Sequence, residues 1–298
     1  MPEASTLFER PDLYLGELRC APDDDTWGVD ATVTHPIVAL PCRPTWVVRG
    51  RSERHLANAN HVVIHQAGDV YRRERFEGRG YRCLFVFPVP SLVREIASEF
   101  DPAAAAGDGE SFRLPSGVGA IDAATFSHSR WLARHLVEEP SPDGLRIAEA
   151  LYRILRAVVA ATYEERPSAR NREARSTTRR AHAAIVEDAK EAVTSRFAER
   201  LTVEDVANAV HVSPYHLTRV FRRLTGFSLH EYVNQLRVRA AFERIRDGHE
   251  DLASLAAELG FSTHSHLTAN FRRAFGLTPS MVRPFHAVGR MSPTATRS

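Results

Sequence analysis

The sequence predicts an α+β chain, with strands and then helices in its first part and an all-α domain at its C-terminal end. Three observations predict this. Short β-prone runs separated by turn residues fill residues 12–90. Apolar stripes at helical spacing follow from Pro90 onward. Residues 201–283 then contain one small helical design written twice.

The bulk properties set bounds. The chain has 298 residues, 43% hydrophobic and 26% charged, enough for two domains with ordinary cores. Its net charge is +2, so charge alone names no partner. Lys190 is the only lysine, and the preference for arginine is explained most simply by a GC-rich coding sequence. No apolar run approaches the roughly 18 residues of a membrane span. Met1-Pro-Glu-Ala-Ser-Thr lacks the basic start and apolar segment of an export signal, so no membrane partner and a cytoplasmic location are expected.

Residues 1 to about 12 read as a polar arm. Leu13 and Leu15 alternate with their neighbours, and Ile37-Val-Ala-Leu40, Trp46-Val-Val48, Val62-Val-Ile64 and Val70-Tyr71 are strand-like runs. Tyr81, Cys83, Phe85 and Phe87 alternate over the last of them. Breaks at 21–25, 50–53 and 67–69 separate the runs, which suits a sandwich or a barrel.

Chemistry-bearing residues in this region are sparse. His35, His55, His61 and His65 are scattered, and His61 and His65 would share one face of a strand, but two imidazoles do not complete a metal site. No metal, cofactor or catalytic residue is therefore expected. Cys20, Cys42 and Cys83 are odd in number, which argues against structural disulfides and for small buried residues. The alternative is a redox- or metal-sensing domain in which these cysteines converge, fused to the C-terminal helical domain. Arg43, Arg49, Arg51, Arg54, Arg72 and Arg73 could line a pocket for an acidic ligand, though solvated strand edges explain most of them.

Helices are predicted over 91–100, 120–137 and 144–163, with a loop at 101–115. Leu145, Ile147, Leu151, Leu155, Val158 and Val159 give the third a broad apolar side that needs a partner, either a second subunit or the chain's own sheet. Residues 166–180, with six arginines and one acid, read as a basic linker. A helix over about 181–197 opens the last domain, and residues 286–298 form a tail.

The repeat is the most informative stretch. Leu217 and Leu267, Phe221 and Phe271, and Gly226 and Gly276 are each 50 apart; upstream of the serine the offset is 49, so the second copy has one extra residue. Each copy reads helix, tight turn, helix. Thr202 with Asp205 caps the first helix, Ser213 caps the next with Pro214 at its first position, and Gly226 stops it. In the second copy Leu252, Leu255, Ala256 and Leu259 form the inner face, Gly260 the turn and Ser262 the cap. The turn requires positive φ, which Gly260 accepts freely and His211 under strain. Such helix-turn-helix units place the second helix in a DNA major groove.

Charge is sorted to match. Residues 187–285 hold 13 basic and 12 acidic residues, yet the outer helices carry Arg219, Arg222, Arg223, Arg272 and Arg273 and no acid. Between the copies, Ser228 and Glu231 form a capping box, and Leu229, Tyr232, Val233, Leu236, Ala240 and Ile245 lie along one side of a helix ending at Asp247-Gly248. About 18 residues make a rod of about 27 Å. Such a rod could hold two reading heads about one DNA turn, roughly 34 Å, apart.

These residues resemble the DNA-binding domain of the AraC/XylS family of bacterial transcription regulators. The resemblance rests on Leu201-Thr-Val-Glu-Asp-Val-Ala, Ser213-Pro-Tyr-His-Leu-Thr-Arg-Val-Phe-Arg-Arg, Tyr232 with Arg237, Gly260-Phe261-Ser262, Phe271-Arg-Arg, Pro279 and Arg283, over the last third of the chain. It implies a cupin-like β-barrel with helices over residues 1–165 (barrel about 12–90, helices about 91–165), sensing a small-molecule effector and pairing two copies as a homodimer. It implies double-stranded DNA as partner of residues 181–285, and RNA polymerase if the protein activates. Transferred by position, Ser213, Tyr215, His216, Thr218, Arg219, Arg222 and Arg223 would form the first reading head. Thr263, His264, Ser265, Thr268, Arg272 and Arg273 would form the second. Ala269 stands where the first copy has Arg219, so the second head is expected to read fewer bases.

Overall fold

The computed structural model describes residues 2–50, 53–105, 112–115, 117–139, 141–164, 176–249 and 251–282. The sheet region contains β1 (Glu3–Arg10), β2 (Leu13–Cys20), β3 (Ala31–Thr32), β4 (Ile37–Pro41), β5 (Thr45–Arg49), β6 (Glu53–Ala57), β7 (His61–His65), β8 (Val70–Arg75) and β9 (Tyr81–Pro88). Then come α1 (Pro90–Ser98), α2 (Pro102–Ala105), β10 (Val118–Ala120), α3 (Ala123–Glu138) and α4 (Gly144–Glu164). The C-terminal part is all helix: α5 (Ser176–Arg196), α6 (Val203–Ala209), α7 (Pro214–Thr225), α8 (Leu229–Arg246), α9 (Leu252–Glu258), α10 (His264–Phe275) and α11 (Pro279–Val282). The α+β class read from the sequence is the one observed.

The strands form two antiparallel sheets, one of six in the order β1-β2-β9-β4-β7-β10 and one of four in the order β3-β8-β5-β6. The barrel that the resemblance implies over about 12–90 is therefore corrected to two sheets that do not close on one another, the sandwich-like alternative the strand pattern also suits. The expected polar arm is a correction: residues 3–10 are β1, paired with β2 from Glu3 opposite Arg19 to Arg10 opposite Leu13. Most of its side chains are exposed, so it carries no apolar alternation for a sequence reading to detect. It is held by backbone pairing, and Gly16 makes that pairing possible: a Cβ there would lie 2.5 Å from the Phe85 ring and 2.9 Å from the Ser5 carbonyl.

The helices also shift from expectation. Residues 118–120 form β10, paired antiparallel with β7, so the helix expected from 120 starts later: α3 begins after Asp122, whose carboxylate accepts from the Thr125 amide at 2.6 Å. The apolar side of α4 is covered by the chain's own elements: Ile147, Leu151, Leu155, Val158 and Val159 are buried in the core beneath the six-stranded sheet. The basic linker is shorter than read, because residues 176–180 belong to α5. Residues 165–175, Arg51 and the expected tail lie outside the described residues.

Two hydrophobic cores organise the C-terminal part. One joins α5, α6, α7 and the start of α8 through Val186, Val193, Val206, Leu217 and Phe221. The other runs without a break from the sheet region into α8, α9 and α10, through Phe126, Phe242, Phe261 and Phe271. Phe126 of α3 lies 5.8 Å from Phe242, edge to face. Consequently α8 does not bury one side only; Val238, Arg239, Ala241 and Phe242 are buried as well as the expected Leu229, Tyr232, Leu236 and Ile245.

Candidate nucleic-acid interface

The first helix-turn-helix follows the local chemistry of its sequence. Thr202 and Asp205 form a reciprocal capping box at the start of α6. His211 takes φ 58°, the left-handed conformation the turn demands. Ser213 accepts from the His216 amide, Pro214 occupies the first turn of α7, and Gly226 ends it at φ 77°. Leu217, Val220 and Phe221 face inward.

That leaves an outward face. Tyr215 is 76% exposed. Arg219, Arg222 and Arg223 are exposed too. Arg219 and Arg222 make no hydrogen bond or ion pair with any described residue, whereas Arg223 Nη2 meets His182 Nδ1 of α5 at 2.7 Å. The Thr218 hydroxyl donates to the Pro214 and Tyr215 carbonyls, and the Ser213 hydroxyl is spent on its cap. His216 is half-buried, its ring 5.3 Å from that of His182. Burial and then the Arg223 charge lower the His182 pKa, so it is neutral near pH 7.

The second motif repeats the design with one correction. Thr263, not Ser262, caps α10, accepting from the His266 amide at 3.1 Å. The extra residue moves the cap one place on, and Ser262 instead meets His266 Nδ1 at 3.1 Å. Gly260 takes φ 75°, and a Cβ there would stand 2.5 Å from the Ala198 carbonyl and 2.8 Å from Arg237 Nη2. His264, Ser265, Thr268, Ala269, Arg272 and Arg273 line one open hollow of about 560 Å³. Arg273 Nη1 is tied to Asn270 Oδ1 at 3.3 Å, and Asn270 also accepts from Asn234 of α8. Among the described residues no acid lines the hollow, and Ala269 contributes no side-chain donor to it.

A single residue binds the two motifs into one unit. Arg237 of α8 donates to the Phe197 carbonyl at 2.6 Å, to Glu199 at 2.6 Å and to Gly260 at 2.8 Å. Its fork spans the end of α5 and the turn of the second motif.

The sequence reading missed a second set of residues altogether, those joining α5 and α8 to the sheet region. Arg239 is 1% exposed. It donates to the Ala59 carbonyl at 2.7 Å, to Asn60 Oδ1 at 2.6 Å and to the Ile121 carbonyl at 2.6 Å. Asn58 Nδ2 donates to Tyr232 Oη at 2.8 Å and Thr194 Oγ1 at 3.0 Å. Glu187 of α5 accepts from the Leu56 amide at 2.7 Å and lies 3.5 Å from His55. Arg130 of α3 pairs with Glu243 of α8 at 2.9 Å. An arginine between Val238 and Ala240-Ala241-Phe242 and the Asn58-Ala-Asn60 turn were the available signals, and neither points to the other without a fold.

The alternative sensing chemistry finds little here. Cys20, Cys42 and Cys83 are free thiols, two of them buried. Burial pushes Cys83 up to about 12 and raises Cys42 as well, far from the thiolate a redox sensor uses. Burial pulls His65 down to about 3, and its ring stacks on Tyr71 at 3.7 Å. Among the described residues no group of three or more His, Cys, Asp or Glu is placed to hold a metal. Of the arginines considered as pocket liners, Arg49 donates to the Ile64 and Gly117 carbonyls, Arg54 lies over Trp46, Arg72 pairs with Glu74, and Arg73 donates to Cys20. Among the described residues no helix is long and apolar enough to cross a membrane.

Residues 206–284 match a family model described as a helix-turn-helix domain. The chain is 32% identical over 93 residues to the bifunctional transcriptional activator/DNA repair enzyme AdaA of Bacillus subtilis, covering 31% of this chain and 44% of that protein. It is 32% identical over 113 residues to the regulatory protein PocR of Salmonella typhimurium, covering 37% of each. It is 29% identical over 83 residues to the multiple antibiotic resistance protein MarA of Salmonella typhimurium, covering 28% of this chain and 65% of that protein. The chain thus spans less than two thirds of the length of each of these relatives. Among solved structures, an AraC-type transcriptional regulator from Chromobacterium violaceum aligns over 35% of this chain and 93% of its own, at 24% identity and TM-score 0.33. ToxT from Vibrio cholerae aligns over 91% and 97%, at 9% identity and TM-score 0.37. At these scores neither likeness bears on function.

Proposed function

We propose, from the premise that this chain belongs through its C-terminal third to the AraC/XylS family of helix-turn-helix regulators, that it reads promoter DNA and adjusts transcription in response to a small molecule. The observation that carries the reading is the pair of outward helix faces, rich in donors and free of acids, on two motifs fixed to one another through α8 and Arg237.

In this reading Tyr215, Arg219 and Arg222 of α7 and His264, Ser265, Thr268 and Arg272 of α10 touch bases and phosphates. Arg219, exposed and without a partner among the described residues, pairs in this reading with guanine O6 and N7. Ser213 and Thr263 act through their caps, which hold the helix N-termini in place, while His216, Arg223 and Arg273 flank the contacts. α8 has the length to set the two heads about one helical turn of DNA apart, roughly 34 Å. The second head, with Ala269 at its centre, is the weaker reader.

The sheet region, about residues 1–165, is the sensing part, and it acts on the reader through Arg239, Asn58 and Glu187. Two copies pair as a homodimer, and RNA polymerase is the partner if the output is activation. The protein works in the cytoplasm and carries out no catalytic step.

Selection of random duplexes by the purified full chain tests this reading. Enrichment of two short elements spaced by about one helical turn supports it. Absence of any enriched sequence, with binding that depends on salt alone, rejects it.

A further inference from the structure

A cavity of about 530 Å³ lies between the six-stranded sheet and helices α1 and α4. Val38, Ile64, Val93, Ile96, Leu155 and Val159 supply most of its wall. Such a volume suits a small organic ligand, and such walls suit an apolar one.

Three polar side chains also reach it: Gln66, Arg94 and Arg113. Two of these have partners. Gln66 exchanges hydrogen bonds with the backbone of Leu114, accepting at 2.7 Å and donating at 3.4 Å. Arg113 pairs with the Asp69 carboxylate and donates to the Ala67 carbonyl at 3.3 Å. Arg94 differs. It makes no hydrogen bond or ion pair with any described residue, and its Nε is buried. Among the described residues the site therefore presents two cations, Arg94 and Arg113, and one anion, the Asp69 that pairs with Arg113, against an apolar wall, so that Arg94 is the unmatched charge. Arg94 is half-exposed, so water meets part of its guanidinium, but the buried Nε has no acceptor among the described residues, and a ligand anion in the cavity would supply one.

We propose that this cavity binds a small, mainly apolar acid carrying one negative charge, whose carboxylate pairs with Arg94. A monoanion matches the single unmatched charge, and a planar carboxylate matches the guanidinium fork. A dianion would bring one charge too many into the apolar enclosure, and a neutral molecule would leave Arg94 as it is. The seat is connected to the reader. Ile64 lies on β7, which pairs with β10, and the Ile121 carbonyl just beyond β10 accepts from Arg239 of α8. The assignment names the ligand class for the responsive reading above, and rests on it only for the ligand's purpose.

The test is calorimetric titration of the full chain with decanoate and 4-phenylbutanoate, each beside its alcohol, decan-1-ol and 4-phenylbutan-1-ol. At least one acid is expected to bind saturably, one per chain, at least about tenfold tighter than its alcohol. Arg94→Gln, at a half-exposed position, is expected to abolish that preference while alcohol binding persists. Val159→Trp should fill the cavity and remove both. Failure of both acids to bind saturably, or an acid preference unaltered in Arg94→Gln, overturns the proposal. DNA binding is measured on the same preparation. An acid-binding protein with no DNA sequence preference would sink the regulatory reading and leave this site standing; intact DNA binding with no acid binding would do the reverse.

Discussion

Arg239, in the middle of the helix that joins the two helix-turn-helix motifs, donates to the side-chain oxygen of Asn60 in the sheet region at 2.6 Å. No carboxylate meets this guanidinium among its hydrogen-bond partners; its other acceptors are the Ala59 and Ile121 carbonyls. Burial pulls its pKa down to about 9, so it stays charged at neutral pH. The charge is held by three oriented dipoles from two segments of the sheet region, the Ala59-Asn60 turn and Ile121.

Replacing Arg239 by Ala leaves two backbone carbonyls and an amide oxygen without their donor. Each such loss costs about 1–3 kcal/mol. Arg239→Ala is therefore expected to lose at least about 3 kcal/mol and to separate the sheet region from the reader, with denaturant unfolding split into two steps. Arg239→Lys should not restore it, because one ammonium cannot reach three acceptors in a fork. A single unfolding step at the parent midpoint would contradict this.

The pair formed by His55 of β6 and Glu187 of α5 gives the same interface a pH dependence. Burial alone would lower His55, but hydrogen bonds to Glu187 and Glu53 raise it to about 9. Burial would raise Glu187, but Lys190 and His55 pull it down to about 2. The His55 contribution is complete below its ordinary value of about 6.5 and is lost as pH rises toward 9. The Glu187 contribution is complete above about 4.5 and is lost as pH falls toward 2. Stability of the contact should peak between about pH 4.5 and 6.5. His61 also faces this region; burial holds its pKa well below the ordinary value, so its contribution falls as pH drops below about 6.5 and draws the peak to the upper end of that window. His55→Gln is expected to flatten the fall between pH 6.5 and 9, measured by denaturant midpoint.

Arg219→Ala is expected to weaken binding to a selected site by about 1–3 kcal/mol and to relax base choice at one position. Arg222→Ala should weaken all sequences alike and reduce the salt dependence of binding by about one ion. A common response of both variants on matched and mismatched duplexes would remove the assignment of Arg219 as a base reader.

The two turns should respond oppositely to substitution. Gly260→Ala meets both an unfavourable φ and the Ala198 carbonyl, and is expected to cost about 2 kcal/mol or more. His211→Gly relieves a side chain held at φ 58° and should be near neutral or slightly stabilising. Thermal melting of the two variants distinguishes these outcomes.

A fragment beginning at Ser176 should fold and bind DNA, since α5 contributes Val186, Ala189 and Val193 to the core of the first motif. It should also self-associate more than the full chain, because the surface of α8 that meets α3 is uncovered. A circular dichroism spectrum without helix would refute independent folding.

Most of the helix-turn-helix unit is visible in the sequence because its signals are local. Caps at Thr202, Ser213 and Ser228, stops at Gly226 and Gly276, and inward leucines and phenylalanines act within a few residues of where they stand. The misplaced cap at Ser262 arose where an inserted residue offered two adjacent hydroxyls, and only the path of the backbone chose Thr263. The edge strand β1 and the short β10 were invisible because backbone pairing, not side-chain alternation, holds them.

By itself the sequence determined the repeated reading unit, its outward arginines and the α+β class, since each depends on periodicity and capping over short separations. Tertiary structure alone decided that the strands lie in two sheets, that the apolar side of α4 is covered from within, and that α8 is buried on several sides. It alone joined Arg239 to Asn60, 179 residues apart. A buried donor and its acceptor are complementary only once the fold has removed water from both, and nothing in the local chain around either residue announces the other.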